Sequence, residues 1–114
     1  QGMKLVTAIV QPHALSDVQL ALAKHGVGGM TISEASGYAR QRGHSEVYRG
    51  EEFTIDFILK VKIEILCEDA ETQEVVDLIA GTARSGQVGD GKVWVTPVEE
   101  VVRIRTGEVG AAAI

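Results

Sequence analysis

The stretch ILKVKIEILC at residues 58–67 decides the fold of this chain. Apolar and charged side chains alternate along it, which is the period of a β-strand with one buried face. The apolar positions are Leu59, Val61, Ile63, Ile65 and Cys67, and the charged positions between them are Lys60, Lys62 and Glu64. The pattern predicts a strand over residues 58–67, and the other elements are placed relative to it.

Upstream of this strand, the sequence predicts a strand, a helix and a second strand. Residues 4–11 are largely apolar on both alternating faces, as in the centre of a sheet, and Pro12 ends them. The run Ser16-Asp17-Val18-Gln19 has the form of a helix capping box, and Gly26 is well placed to end that helix. Residues 28–35 have the pattern of the next strand.

Downstream, the sequence predicts one further helix and one further strand. Asp69 is suited to cap a helix from about Ala70 to Arg84, and residues 92–96 form a strand before Pro97. The order strand, helix, strand, strand, helix, strand is that of the ferredoxin-like βαββαβ sandwich. We therefore expect an α+β fold.

Composition and charge narrow the class of protein. The 114 residues are 45% hydrophobic and 24% charged, which is ordinary for a globular domain. The net charge of −5 gives no basic footprint for nucleic acid, and no apolar run is long enough to span a bilayer. We expect one domain over residues 3–114, with residues 1–2 as a cloning remnant. The single cysteine, Cys67, favours a reducing, cytoplasmic compartment.

Two segments are unusual for simple connections. Residues 39–56 form a long, mostly polar segment where a hairpin turn would need far fewer residues. It is interpreted either as a mobile arm used for contact or as a solvated extension of the two strands. Residues 85–92, SGQVGDGK, contain three glycines that can bring backbone N–H groups close to an anion, with Lys92 adding a positive charge.

The glycine-rich segment is not a P-loop, although residues 86–92 satisfy G-x-x-x-x-G-K. That motif needs a strand before it and a helix after it, whereas here a helix precedes and a strand follows. A plain turn between helix and strand remains open. Arg103 and Arg105 favour a phosphate site, because two arginines two residues apart in an extended segment point the same way.

Three separated runs resemble the PII family of nitrogen-regulatory proteins. GHSEVYRGEEF at residues 43–53 is similar to the family's T-loop, whose usual form is GHTELYRGAEY. SGQVGDGKVWV at residues 85–95 resembles its B-loop, and VRIRTGE at residues 102–108 resembles its C-terminal segment. The resemblance implies a homotrimer of the ferredoxin-like fold, with ATP or ADP bound in the clefts between subunits.

The resemblance also implies roles for individual residues. The nucleotide-binding set is Thr31, Gly37, Arg40, Gly89, Asp90, Gly91, Lys92, Arg103 and Arg105. Thr31 would lie near the adenine, and the two arginines would reach the phosphates from the neighbouring subunit. Gln41 would help to hold Mg²⁺ with ATP and 2-oxoglutarate, and Lys60 would pair with a carboxylate of 2-oxoglutarate. The partner-binding part of the T-loop is Tyr48, Arg49, Gly50 and Glu51.

Several positions depart from the family pattern. Phe53 replaces the tyrosine that accepts a nucleotidyl group, so no such modification is expected there. Gln11 replaces a basic residue near the 2-oxoglutarate site, and Gln87 replaces the B-loop lysine. These losses of positive charge favour an alternative, a divergent paralogue that senses ADP, AMP or another small anion such as bicarbonate and regulates a different transporter or enzyme.

The function expected from this resemblance is signalling without turnover. The protein would sense ATP, ADP and 2-oxoglutarate and act through the T-loop on an ammonium transporter, a metabolic enzyme or a regulator, with no nucleic acid bound and no insertion into the membrane. A small enzyme on the same fold would need a nucleophilic histidine or an Arg–Asn pair, and His13, His25 and His44 offer little. A trimer without a ligand would leave the glycines and arginines unexplained.

Overall fold

The computed structural model describes the backbone of residues 2–48 and 51–114 and the side chains of residues 2–37 and 58–114. The strands are β1 (Met3–Val10), β2 (Thr31–Tyr48), β3 (Glu51–Glu68) and β4 (Gly91–Val98), and the helices are α1 (Leu15–His25) and α2 (Asp69–Ala83). Short 3-10 helices cover Pro12–Ala14 and Gly110–Ala113. The element order confirms the predicted βαββαβ plan.

The strands form one antiparallel sheet in the order β2-β3-β1-β4. The central strand β1 pairs with β3 and β4 along its whole length, so that Val10 lies opposite both Val61 and Gly91. Each helix returns the chain across the sheet, and the strand that follows it comes to lie at an edge. β1 and β3 are the inner strands, and the side chains that they turn toward the helices are buried and apolar.

The hydrophobic core lies between the sheet and the two helices. Every second residue of β1 and β3 points into it, which confirms the alternation predicted for residues 58–67. The core consists of Val6, Ala8, Val10, Val61, Ile63, Ile65 and Cys67 from the sheet, and Val18, Leu22, Val75 and Ile79 from the helices. The thiol of Cys67 is buried and free of any disulfide, as expected.

Helix α1 begins earlier than the capping-box pattern predicted. A 3-10 turn starts at Pro12, and the Ala14 N–H donates to the Gln11 carbonyl at 3.0 Å. Ala14 is buried and occupies the N-cap position without a side-chain cap, so the prediction that Ser16 starts the helix was wrong. Packing of a small residue replaces the capping hydrogen bond. The C-terminus was predicted correctly, because Gly26 adopts a left-handed φ of 106° there.

Helix α2 also begins one residue before its predicted start. Glu68 occupies the N-cap position, and Asp69 lies in the first turn instead of capping it. The Asp69 N–H donates to the Gly2 carbonyl at 3.1 Å, and its carboxylate forms an ion pair with Lys4. Asp69 therefore ties the start of α2 to the start of β1.

The long segment between the second and third strands is a continuation of both strands. β2 and β3 pair from Thr31↔Glu64 out to Tyr48↔Glu51, with one irregularity between Arg42 and Glu46. Of the two interpretations of residues 39–56, the strand extension is therefore correct for the described backbone, and the use of this segment for contact stays a prediction. Antiparallel pairing supplies hydrogen-bond partners to a polar segment that has few apolar side chains to bury.

Helices in the described part of the chain are short. None of them combines the length and the apolar character that a bilayer crossing requires.

The core assignment can be tested on two leucines of helix α1. Leu22 is fully buried, whereas Leu20 on the same helix is 55% exposed. We expect Leu22→Ala to lower the free energy of unfolding by about 2–5 kcal/mol, because it removes buried methyl groups and leaves a cavity. The matched variant Leu20→Ala is expected to change it by no more than about 0.5 kcal/mol. Denaturant unfolding at one protein concentration measures both, and equal losses would contradict the assignment.

Candidate functional site

The α2–β4 loop, residues 84–90, is closed by the carboxylate of its own Asp90. One carboxylate oxygen of Asp90 accepts hydrogen bonds from the N–H groups of Ser85 at 2.7 Å and Gly86 at 2.9 Å. The other oxygen accepts from the hydroxyl of Ser85, whose oxygen in turn accepts from the Gln87 N–H at 3.2 Å. Asp90 thus binds the N–H groups at the start of the loop as an anion would.

These hydrogen bonds favour the ionised form of Asp90. The hydroxyl of Ser85 contributes most, and the N–H groups of Ser85 and Gly86 add to it, so the pKa of Asp90 lies below its ordinary value. The carboxylate therefore remains ionised at neutral pH. A negative charge sits at the base of the loop, and any further anion must be held by groups closer to Gly89 and Lys92.

Gly91 starts β4 at a point where the backbone has no room for a side chain. Its φ is +110°, and a Cβ placed on it would lie 1.8 Å from the carbonyl oxygen of Ile9. Gly89 also has a positive φ, of 96°. Glycine at these two positions lets the loop turn back against β1 and present Lys92, which is exposed next to Gly91.

The carbonyl oxygen of Gly89 is held by two side chains from other elements. The side-chain amide of Gln11 donates to it at 2.8 Å, and the ammonium group of Lys60 donates to it at 2.6 Å. Gln11 follows β1 directly and Lys60 lies on β3, so the strands adjacent in the sheet both reach the loop. The structure therefore brings Lys60 together with Gly89, as part of one cluster with Gln11.

A second group of predicted residues lines a pocket of about 830 Å³ near the other end of the sheet. Thr31, predicted to lie near the adenine, and Arg103, predicted to bind phosphate, both line it. The remaining lining residues are Leu5, Gly26, Val27, Gly28, Gly29, Met30, Glu64, Ile65, Leu66, Cys67, Glu71, Ala113 and Ile114. The pocket offers apolar walls and a small number of polar groups, which is typical of a small-molecule site.

Arg103 lies in a turn, so the extended segment predicted around Arg103 and Arg105 was wrong. The Gly107 N–H donates to the Arg103 carbonyl at 2.7 Å, and Val102 pairs with Val109 across the turn. The guanidinium of Arg103 donates to the carboxylate of Glu108 at 3.4 Å and to the Ile114 carbonyl at 3.0 Å. Gly107, with a φ of 74°, allows a tight turn that the alternation rule does not anticipate.

The loop and the pocket lie apart along the sheet. Leu5 of β1 lines the pocket, whereas Val10 of β1 pairs with Gly91 at the loop. Five residues of strand separate these positions by about 17 Å. One chain therefore gathers Thr31 with Arg103 at one place and Gly89, Asp90, Gly91 and Lys92 with Lys60 at another.

The remaining predicted residues lie along the β2–β3 hairpin. Gly37 pairs with Ile58, two residues along from the Ala35↔Lys60 pair, so it lies beside the cluster on Gly89. Arg40 pairs with Ile55 and Gln41 with Thr54, farther out on the hairpin. Tyr48 pairs with Glu51. The side chains predicted at Arg40, Gln41, Tyr48, Glu51 and Phe53, and all of Arg49 and Gly50, lie outside the described residues.

Three features of the site were not found from the sequence. They are the closure of the loop by Ser85 and Asp90, the hydrogen bond of Gln11 to Gly89, and the bonds of Arg103 to Glu108 and Ile114. Only the first has a sequence signal, a serine and an aspartate flanking a glycine-rich turn. Among the described residues, no group of three or more His, Cys, Asp and Glu side chains is arranged to hold a metal ion.

Comparison with known proteins agrees with the fold and the loops. A family model described as nitrogen regulatory protein P-II matches residues 3–108. The nitrogen regulatory protein P-II of Azospirillum brasilense is 51% identical over 112 residues, which cover 98% of this chain and 100% of that protein. The P-II protein of Microchaete diplosiphon is 50% identical with the same coverage.

Solved structures are similar over the whole chain. B. subtilis GlnK has a TM-score of 0.86 at 30% identity and full coverage of both chains, and its ATP complex has the same score and identity. Arabidopsis thaliana PII bound to citrate has a TM-score of 0.82 at 35% identity, covering 100% of this chain and 94% of that one.

The antiparallel sheet, its two helices and its glycine-rich loop define a small α+β protein of the ferredoxin-like type. The chain belongs to the nitrogen regulatory protein P-II family. Proteins of this family are signalling regulators and not enzymes, which confirms the expectation drawn from the sequence.

The close approach of Gly91 to β1 can be tested against Gly86. Both glycines have a positive φ, but a Cβ on Gly86 meets no atom within 4 Å. We expect Gly86→Ala to lower the free energy of unfolding by about 1–2 kcal/mol through backbone strain alone. Gly91→Ala is expected to cost about 1–3 kcal/mol more, because its methyl group must displace the Ile9 carbonyl. Denaturant unfolding compares the two, and equal costs would show that the contact with Ile9 relaxes freely.

Proposed function

We propose that this protein is a nucleotide-sensing P-II signal transducer that binds ATP or ADP between copies of the chain. One observation carries the proposal: the chain holds two incomplete groups of binding residues, with Thr31 and Lys92 on opposite edge strands of the sheet, three strand spacings or about 14 Å apart. Thr31 and Arg103 line the apolar pocket, whereas Gly89, Gly91 and Lys92 lie at the α2–β4 loop. The nucleotide would then bridge two chains, with its base in the pocket of one and its phosphates between the loop of the other and Arg103 at the pocket.

The chemistry of the two groups suits the two ends of a nucleotide. The pocket has apolar walls for a base and the hydroxyl of Thr31 as a polar partner. The loop offers a tight glycine turn and the cation of Lys92 for phosphates. The relative solved as the B. subtilis GlnK–ATP complex supports ATP as a ligand of this fold.

We further propose that the chain assembles as a homotrimer. The sheet face that the helices do not cover carries apolar side chains, including Trp94, which is 43% exposed, and Leu66. Val88 on the α2–β4 loop and Ile104 on the C-terminal turn are almost fully exposed. Exposed apolar side chains of this size favour association with another copy, and closed symmetry limits the assembly.

The effector proposed beside the nucleotide is 2-oxoglutarate. Mg²⁺ would bind with ATP and Gln41, and 2-oxoglutarate would bind there through Gln41 and Lys60. The ammonium group of Lys60 donates a hydrogen bond to Gly89 of the α2–β4 loop. This contact supports coupling between 2-oxoglutarate at Lys60 and a nucleotide at the loop. A second candidate function, sensing of ADP, AMP or bicarbonate, is favoured by Gln11, because a neutral amide stands beside Lys60.

The output is proposed to pass through the β2–β3 hairpin to a partner protein. Its tip, residues 48–51, would contact an ammonium transporter or a metabolic enzyme or regulator in the cytoplasm. The hairpin is a pair of continuous strands that begins at the sheet, so its base moves with Lys60 and the cluster on Gly89. Phe53 lacks the hydroxyl needed to accept a nucleotidyl group, so no such modification is proposed at this position.

The nucleotide site can be tested with Arg103 and Lys92. We expect Arg103→Ala and Lys92→Ala each to weaken ATP and ADP binding roughly tenfold to a hundredfold, because each removes a charge-assisted phosphate contact of about 1.5–3 kcal/mol. Lys24→Ala, on the exposed side of α1, is the charge-matched control and should bind like the parent. Calorimetry measures all three, and normal affinity in both site variants would place the nucleotide elsewhere.

A mixing experiment shows whether the site is shared. Each mixed trimer has one interface in which the intact Lys92 of an Arg103→Ala copy faces the intact Arg103 of a Lys92→Ala copy, and one reversed interface that lacks both side chains. Unfolding and refolding the two variants together should therefore restore tight binding to a fraction of the sites. No restoration, in assemblies shown by light scattering to be mixed trimers, would contradict a site between copies.

The effector can be tested by titration with and without nucleotide. We expect 2-oxoglutarate to bind only with Mg-ATP, and Gln11→Lys to tighten it roughly fivefold to tenfold, because hydrogen bonds to charged groups exceed neutral ones by about 1 kcal/mol. Titrations with ATP, with ADP and with no nucleotide give the comparison. Binding without nucleotide would contradict the coupling, and no binding in either variant would favour the second candidate function.

A further inference from the structure

The carbonyl oxygen of Gly89 accepts hydrogen bonds from two side chains that approach from different strands. Gln11 donates at 2.8 Å from the end of β1, and Lys60 donates at 2.6 Å from β3. A carbonyl oxygen has two lone pairs, so this pair of donors saturates it. The two side chains therefore act on one atom of the loop and not on separate parts of it.

The loop is held at two points, one internal and one external. Asp90 closes its start by binding the N–H groups of Ser85 and Gly86. Gln11 and Lys60 hold the carbonyl of Gly89, which has a φ of 96°. Because glycine has no Cβ, this residue can take other backbone conformations when its carbonyl is released. Because a trans peptide unit is planar, the direction of the Gly89 carbonyl sets the opposite direction of the Asp90 N–H, and hence how the loop leads into Gly91 and Lys92.

The two donors differ in what can displace them. Lys60 carries a charge and three donors, so it can be drawn to an anion, whereas the amide of Gln11 is neutral. While either donor remains, the carbonyl keeps one hydrogen bond. The loop is therefore expected to loosen partly when one donor is lost and to open when both are lost.

We propose that Gln11 and Lys60 are positioning residues of the nucleotide loop, acting jointly through the Gly89 carbonyl. Neither has to touch the nucleotide for this role. The proposal rests on the proposed function where it concerns nucleotide affinity, but the holding of the loop itself is a property of the unliganded protein and can be measured there.

The test uses Gln11→Leu and Lys60→Met, which remove the donors and keep side chains of similar length, and the double variant. In the nucleotide-free protein, we expect hydrogen exchange at residues 87–91 to rise about two- to tenfold in each single variant. In the double variant the rise should exceed the product of the two single effects, because two donors on one acceptor substitute for each other. Exchange in the buried helix segment 18–22 should not change.

Three control variants separate loop positioning from a general effect. Lys62→Met removes the same charge from the same face of β3, two residues away, and should leave exchange at residues 87–91 unchanged. Lys60→Arg and Gln11→Lys keep a donor and should restore slow exchange. Unchanged exchange in the double variant would overturn the proposal, as would equal acceleration in residues 18–22 or equal acceleration by Lys62→Met.

Calorimetry with ADP and no other anion ligand then measures whether loosening of the loop weakens nucleotide affinity. We expect each single variant to lose about two- to tenfold in affinity and the double variant to lose more than both together. If the parent binds no ADP, the proposed function fails while the exchange data still decide the positioning role. If the parent binds ADP and the double variant binds it equally despite a faster loop, the positioning role is refuted for the nucleotide.

Discussion

The pairing of β1 with β3 on one side and β4 on the other is the constraint on which the rest of this structure depends. Its register places Val10 opposite both Val61 and Gly91, and this brings the loop before β4 next to the part of β3 that carries Lys60. A slip of one residue on either side would turn the apolar faces outward and separate Lys60 from Gly89. The hydrophobic alternation that builds the core therefore also aligns the candidate site.

Gly91 constrains the register of β1 with β4 at the end where the loop joins the sheet. Any side chain at this position would collide with the Ile9 carbonyl, so the backbones of β1 and β4 approach there without an intervening Cβ. The loop then has to satisfy its own polar groups within a short length, and Asp90, Gln11 and Lys60 supply those partners. Few solutions fit this geometry, which is why the loop is rich in both glycine and hydrogen bonds.

The sequence allowed the element order, the core and the glycine-rich loop to be predicted, because alternation and glycine position are local signals. Residues 58–67 and Gly26 behaved as predicted. The start of α1 did not, because the burial of Ala14 outweighed the capping potential of Ser16. The hydrogen bonds of Gln11 and Arg103 could not be predicted either, since each joins residues that are distant in sequence and is set by tertiary register.

The separation of Thr31 from Lys92 gives the proposed assembly its regulatory logic. Both residues belong to one rigid sheet, so neither can move toward the other within a chain. In the proposed trimer a nucleotide would join one copy to the next, and its binding energy would stabilise the assembly by mass action. The same ligand would contact the α2–β4 loop, whose Gly89 carbonyl accepts a hydrogen bond from Lys60. Lys60 lies on β3, the strand that continues into the hairpin. Nucleotide binding at the interface and the position of the hairpin base would then shift together between the same two conformations. Coupling between a sensor site and an output surface requires such a shared equilibrium.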